Sequence, residues 1–366
     1  MMVRSRRWRS VAGLAGAVAV AGWLLLAWLA PRQALPAWLA AWLFFLAIAV
    51  GCIPLLLVHG LTGGRWAEDL RPGLLLALRA LPMLALLLLP VLLGAEWLFP
   101  WADPQTATDP DLARQRWYLN LPFFWLRAIV CIALWLWLAH GLRTRLERAG
   151  RISAAFASAG LILYAITITL AAVDWVGSLV PAWHSTVLGM TLGTSQLLAA
   201  TALAVWLRAV RQEPERRADL GTLLLALLLV WGYLAFMDFL TAWIADLPPE
   251  IAWYWPRLRT GWTWLGGALI VIGLVLPFVL LLSSALKRTA RGLATAAALV
   301  LLGQALFAAW MVLPGVWTPD WRSLAALLLA LLGIGAGCAA VALRGHAVLA
   351  PGNSPAQATP RTEAAP

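Results

Sequence analysis

"ALPAWLAAWLFFLAIAVGCIPLLLVH", residues 34–59, runs for 26 positions without a Lys, Arg, Asp or Glu. Crossing a hydrocarbon core roughly 30 Å thick takes about 20 helical residues. The run does not alternate apolar and polar positions as a barrel strand of about 10 residues would. A membrane-spanning helix is the reading that closes its own backbone hydrogen bonds in lipid. Similar apolar runs cover 11–30, 73–99, 119–142, 152–174, 184–208, 220–244, 260–284, 289–312 and 321–345, making ten spans. Composition agrees, with 63% hydrophobic and 12% charged residues among 366 and a mean hydropathy of +0.84, far outside soluble norms.

The expected fold is all-α and polytopic. Residues 1–10 form a basic N-terminus, 11–345 the ten-helix membrane domain and 346–366 a disordered tail. "RSRRWR" (4–9) has the charge of a signal-peptide n-region, but the apolar stretch behind it is too long and no clean small-x-small cleavage site follows. It reads as the start of an uncleaved span.

Basic loop residues stay on the cytoplasmic side. Arg4, Arg6, Arg7, Arg9, Arg65, Arg71, Arg143, Arg145, Arg148, Arg151, Arg208, Arg211, Arg216, Arg217, Lys287, Arg288, Arg291, Arg344 and Arg361 share one side of a ten-span chain. Only Arg32, Arg114, Arg116, Arg257, Arg259 and Arg322 fall opposite, with Arg79 and Arg127 inside spans. Both termini are therefore expected in the cytoplasm, and the loops around 100–118, 175–183 and 245–259 in the periplasm. Arg outnumbers Lys 26 to 1, and Ala abounds, as a GC-rich bacterial genome would give. The localisation expected is the bacterial inner membrane.

The net charge of +11 is spread over short loops and forms no patch with interleaved aromatics, so nucleic acid is not an expected partner and membrane lipid is. Of 24 Trp, many sit near span ends (Trp38, Trp97, Trp101, Trp117, Trp183, Trp253, Trp255, Trp317, Trp321), and most read as interfacial belt or packing residues. Cys52, Cys131 and Cys338 stand singly in apolar spans, where a thiol acts as a small hydrophobe. No Cys or His cluster has the spacing for covalent haem, iron–sulfur or zinc. His59 and His140 lie near the same ends of their helices, but no second axial pair accompanies them. No phosphate-binding glycine motif is present, and "GLTGG" (60–64) reads as a turn.

What remains is the ionisable residues placed in spans, each costly in lipid and normally turned to the bundle interior. They are Arg79, Glu96, Arg127, Asp174 and Asp238, with Gln196 and Gln304 as uncharged company. In "AAVDWVGSLVPAWHST" (171–186) an aspartate and His184 bracket a short turn. Tyr164, Thr167 and Asp174 share one helical face, and Trp231, Asp238 and Thr241 repeat the spacing in reverse. Counting depth puts Asp174, Asp238 and Arg127 at one level. Two acids beside one Arg predict the mouth of a proton path, continued inward by Tyr164 and Thr167, with His184 and Glu96 as further candidates. The structural alternative is that Arg127 neutralises one aspartate and Asp174 caps the turn. A secondary transporter using intramembrane acids and an inert assembly scaffold are the rival classes. A transporter would show broken helices in matching repeat positions.

The order "YLNLPFFWLRAIV" (118–130), "YAITITLAAVDWVGSLVPAWHSTVLGM" (164–190), "WGYLAFMDFLTAWIADLPPEIAWYWPRLRTGW" (231–262) and "WMVLP" (310–314) resembles the ActF-type membrane subunit of bacterial alternative complex III. That subunit belongs to the NrfD-like, polysulfide-reductase membrane-subunit superfamily. The resemblance covers about residues 40 to 345. The family's F-D-W-x-x-S-L-x-P-x-W-x-S-T is matched by Asp174, Trp175, Ser178, Leu179, Pro181, Trp183, Ser185 and Thr186. The resemblance implies two four-helix bundles plus two flanking helices. It also implies a place in a quinol:cytochrome c oxidoreductase beside an NrfD-like quinol-binding subunit and under periplasmic iron–sulfur and cytochrome c subunits. The subunit would carry no redox centre and no covalent cofactor, with quinone or menaquinone as the associated molecule. Its role would be in proton movement or quinone binding. Met237-Asp238 departs from the family's Ser-Gln. "WIADLPPE" departs from W-Y-A-N-x-P-E-E, with Asp246 for an amide and Ile251 for the second acid.

Overall fold

The computed structural model describes residues 2–106, 110–316 and 320–346. Among these the chain is an all-α polytopic membrane protein. Nine helices are long and apolar enough to cross a bilayer, and the apolar part of the first, Gly13–Leu29, is a shorter tenth candidate. In chain order the elements are α1 (Met2–Leu29), α2 (Pro31–Thr62), α3 (Trp66–Leu93), α4 (Leu121–Ala149), α5 (Ala154–Trp175) and α6 (Leu188–Arg208). Then follow α7 (Pro214–Ala245), the short surface helix α8 (Pro248–Arg259), α9 (Thr263–Leu282), α10 (Ala290–Val316) and α11 (Trp321–His346). The third span begins at Trp66 instead of residue 73, because Glu68 and Asp69 occupy its first turn, where the positive end of the helix dipole accepts them. The segment 347–366, expected as a tail, lies outside the described residues, as does Trp317.

Packing divides the spans as expected. Helices α2 to α5 form one four-helix bundle, α6, α7, α9 and α10 a second, and α1 and α11 pair with each other and flank α2. The bundles meet along α2, α6 and α10. Helices α2 and α6 are accordingly the most enclosed, with 72% of each apolar window buried. Without a hydrophobic force between helices in lipid, such crossings depend on small residues that let backbones approach. A Cβ at Gly51 of α2 would lie 2.0 Å from the Gln196 carbonyl oxygen of α6. One at Gly303 of α10 would lie 2.3 Å from Cα of Gly273 in α9.

Two spans are irregular, each at a proline. In α3, Pro82 and Pro90 cannot donate, and the helix tightens locally into i to i−3 bonds such as Leu88 N–H to Ala85 O and Val91 N–H to Leu88 O. That leaves carbonyls unbonded in an apolar interior, and tryptophans donate to them. Trp42 Nε1 donates to Leu84 O at 2.8 Å, Trp38 Nε1 to Leu87 O at 2.9 Å and Trp125 Nε1 to Leu92 O at 3.1 Å. In α9, the turns Leu269–Val275 widen to π geometry before Pro277, where the ring would otherwise press on the preceding turn.

Several tryptophans are therefore interior girders. Trp38 is 1% exposed, and Trp183 and Trp253 are also buried, so these are packing and not belt residues. The belt reading fits Trp97, Trp117, Trp255 and Trp321, which are exposed. Successive spans alternate in direction, so the basic connections 63–65, 150–153, 209–213 and 283–289 gather at one end. The segments 94–120, 176–187 and 246–262 gather at the other.

Candidate functional site

The second end, opposite the basic connections, holds the polar residues. Helix α4 starts from Asn120, whose side chain accepts from the Phe123 N–H at 3.0 Å, and this cap fixes Arg127 about two turns in. Helix α5 runs toward the same end and carries Asp174 at its penultimate position. Arg127 Nε donates to Asp174 Oδ2 at 2.7 Å and Nη2 to Oδ1 at 2.9 Å, a bidentate pair with both side chains at 5% exposure or less. Arg127 Nη1 donates to Tyr118 O at 2.9 Å, and the guanidinium lies 3.9 Å from the Tyr118 ring centre and 4.3 Å from that of Phe123. The pair is thus fully desolvated, satisfied and roofed by aromatic faces, the geometry in which a buried ion pair holds. Tyr118, in the segment before α4, has its hydroxyl pushed above the ordinary tyrosine range by burial first and by Asp174 second.

The turn 176–187 is built from the same stretch. Ser178 Oγ donates to the Asp174 carbonyl at 2.6 Å, and Gln115 Nε2 donates to Pro181 O at 3.0 Å. The Asp174 carboxylate is spent on Arg127, so it does not cap the turn. Trp183 stacks on Trp253 of α8 with ring centres 4.0 Å apart and planes at 16°. Ser185 Oγ donates to Asp238 Oδ1 of α7 at 2.5 Å, and Tyr254 OH of α8 donates to Oδ2 at 3.0 Å. Arg127 therefore joins only one of the two aspartates, and Asp238 is held by two hydroxyls with no cation among its described partners. This corrects the expectation of two acids around one Arg: equal depth on α5 and α7 does not place them on facing sides. The Tyr254 hydroxyl is pushed above its ordinary range by burial first and by Asp238 second.

Sequence reasoning placed Arg257 only as a loop charge, whereas it is a fully buried keystone. Its Nη1 donates to Trp253 O at 2.5 Å, Nε to Trp310 O at 3.2 Å and Nη2 to Met311 O at 3.0 Å. Pro314 of "WMVLP" is the physical signal, because it has no N–H to give the Trp310 carbonyl. The guanidinium fills that role and fastens α8 to the end of α10, lying 3.5 Å from the Trp253 ring centre. Burial pulls its pKa down to about 9, which leaves it a cation at neutral pH.

Two cavities flank the turn and a third lies between α7 and α8. One of about 230 Å³ touches Gln115, Tyr118, Ser178 and His184. A second of about 370 Å³ touches His184, Ser185, Asp238, Thr241 and Glu250. A third of about 410 Å³ touches Phe239, Asp246 and Tyr254. Asp238 lines the second, its partner Tyr254 lines the third, and exposed His184 touches the first two. Thr186 is exposed in the turn and lines the second. Asp246 ends α7 at φ 50°, in the left-handed region that Asn and Asp enter more readily than other side-chain-bearing residues. An acid and an amide are interchangeable there for backbone reasons.

Deeper in α5, Thr167 accepts from Trp135 Nε1 at 2.8 Å and donates to Leu163 O at 2.7 Å, and Tyr164 OH donates to Gln196 Oε1 at 2.8 Å. All three expected residues of this face point inward, as the spacing indicated. Glu96 does not join them. It is exposed in the short turn Ala95–Leu98 beyond the end of α3, which corrects its reading as an intramembrane acid. Arg79 sits half-buried at the first tightening of α3. Among the described residues, no group of three or more His, Cys, Asp or Glu is arranged to hold a metal ion.

No protein-family model and no curated protein matches this chain.

Proposed function

We propose that the chain is an ActF-type membrane subunit of a bacterial quinol:cytochrome c oxidoreductase, set in the plasma membrane with both termini cytoplasmic, that handles protons and no electrons. The observation that carries this reading is the connectedness of the stretch 174–186. Asp174, Ser178, Trp183 and Ser185 each bond or stack within one construction that ties α4, α5, α7 and α8 into a polar cap. The basic connections at the other end support the orientation, since they would be retained in the cytoplasm. The cap would then face the periplasm, where iron–sulfur and cytochrome c subunits would sit on it.

Within the cap, the two aspartates take different parts. Arg127 cancels the charge of Asp174, so this pair is framework. Asp238 has hydroxyl partners on both oxygens and lines a cavity, so it can take a proton from water and return it. Tyr164 and Thr167 bond within the bundle and support the frame. A transporter is less well supported, because the interrupted helices α3 and α9 occupy unmatched places in their bundles and both acids lie within the last turns of their helices, away from the midplane.

The test is purification of the tagged chain from native membranes. An iron–sulfur protein and a c-type cytochrome should accompany it, and the preparation should reduce cytochrome c with quinol. In proteoliposomes, Asp238→Asn should lower proton release per electron with subunit content unchanged. Recovery of the chain without redox partners would overturn the reading.

A further inference from the structure

Where the two bundles meet, α2, α5, α6 and α10 enclose a cavity of about 30 Å³. Its walls are mostly apolar, from Leu46, Ile168, Phe307 and Met311, but one side carries Ser195, Gln196 and Gln304, with Trp175 also lining it. Ser195 Oγ of α6 donates to Gln304 Oε1 of α10 at 2.5 Å. Gln304 Nε2 and Trp175 Nε1 are buried donors that meet no acceptor among the protein atoms, and each residue is only 2% exposed. Trp175 cannot turn away to find one, because its ring is wedged edge-on between Trp42, at 4.9 Å, and Trp135, at 5.8 Å.

We propose that this cavity is a water-binding site in which one or two waters accept from Trp175 Nε1 and Gln304 Nε2 and donate to the Ser195 hydroxyl. A cavity that holds water needs room for about one probe sphere, roughly 10–15 Å³, and two to four polar partners. Both conditions are met here, whereas a purely apolar cavity of this size stays dry. A water oxygen accepts two hydrogen bonds, which matches two otherwise idle donors. The site has a structural consequence. Ser195 and Gln304 belong to the second bundle, Trp175 to the first, and no protein–protein hydrogen bond joins these three across the seam. Bound water makes that join, next to the close approach of Gly51 and Gln196 that sets the spacing of the bundles.

Radiolytic hydroxyl footprinting of the full chain in nanodiscs tests this, because radicals born from a bound water oxidise the side chains touching it. Phe307 and Met311 should be oxidised quickly despite their burial, while Phe99 and Phe124, equally buried and lining none of the cavities described above, should stay unmodified. Trp175→Phe keeps an aromatic ring and removes the donor, and Gln304→Leu removes the amide. Each should abolish most of the Phe307 labelling. If Gln304→Leu does not fold, Trp175→Phe and the wild-type ratio of Phe307 to Phe124 still decide. Labelling of Phe307 no faster than of Phe124 in the wild type would overturn the site. So would labelling unchanged in a folded Trp175→Phe chain.

Discussion

Asp174 and Asp238 are the same side chain, both near the ends of helices that run toward one face, yet their surroundings are opposite. Asp174 meets a guanidinium in a bidentate pair with both partners buried, and each carboxylate oxygen accepts from Arg127. Asp238 meets only the hydroxyls of Ser185 and Tyr254, beside a cavity. The difference lies in the neighbours: α5 packs on α4, which supplies Arg127, whereas α7 faces the turn and α8, which supply hydroxyls. An acid with a dedicated cation is fixed in charge and holds helices together. An acid held by hydroxyls can change its charge without losing its partners.

The largest break in this comparison is Arg127→Ala. It leaves Asp174 buried and unpaired, and breaking such a pair costs about 3–5 kcal/mol. The chain should lose its cooperative thermal transition in detergent or unfold many degrees earlier. The double replacement Arg127→Met with Asp174→Leu should recover most of that loss, because two apolar groups need no counter-charge. If the single variant were as stable as the wild type, Asp174 would be no more committed than Asp238.

Arg257→Leu comes next. It unbonds the Trp310 carbonyl that Pro314 leaves without a donor, and a buried unsatisfied carbonyl costs about 1–3 kcal/mol. Protease sensitivity should rise around 247–262 before the spans themselves unfold. Arg257→Lys should recover only part, since an ammonium cannot reproduce a fork aimed at three carbonyls. Protection unchanged in both variants would mean that Trp183 stacked on Trp253 alone holds α8.

How much of this was legible in the sequence follows from what each signal measures. Apolar run length measures a helix against the bilayer, so the nine long spans, the shorter tenth candidate and the all-α fold could be read directly. Counting along a span gives depth, which put Arg127, Asp174 and Asp238 at one level. Depth says nothing about which faces of separate helices meet, and that is why Asp238 was grouped with Arg127. The Trp38 and Trp42 bonds to α3 were hidden for the same reason, although Pro82 and Pro90 announce carbonyls in need of donors. Arg257 could have been flagged by pairing a buried-helix proline, Pro314, with a lone loop arginine. Position in the sequence gave no hint that the two meet.

Tyr254 sharpens the comparison through pH. Its folded pKa is raised, so its contribution to stability is fully present below the ordinary tyrosine value of about 10 and is lost as pH climbs above it. Denaturant midpoints measured from pH 9 to 11 should fall, with a slope of up to about 1.4 kcal/mol per pH unit from this group. Tyr254→Phe should flatten that slope by as much as one proton's worth. An unchanged slope would place Tyr254 in contact with bulk water, away from Asp238.

The smallest expected effect is that of Asp238→Asn on stability. The amide oxygen can accept from one of the two hydroxyls while its NH2 donates to the other, but hydrogen bonds to a neutral acceptor are weaker by about 1 kcal/mol than those to a charged one. Against this, the substitution removes a desolvated charge that no cation offsets, which is a gain. The two nearly cancel, so the thermal midpoint should move by a degree or two at most, in contrast to the collapse expected for Arg127→Ala. The same variant should bring the Tyr254 hydroxyl down toward its ordinary range, because Asp238 is the second cause of its elevation after burial. Alkaline destabilisation would then set in over a narrower span above about pH 10. A large loss of stability in Asp238→Asn would show that this carboxylate, like Asp174, is held in a fixed charge state by its surroundings. It would then be framework too, and the distinction between the two acids would fail at its weaker member.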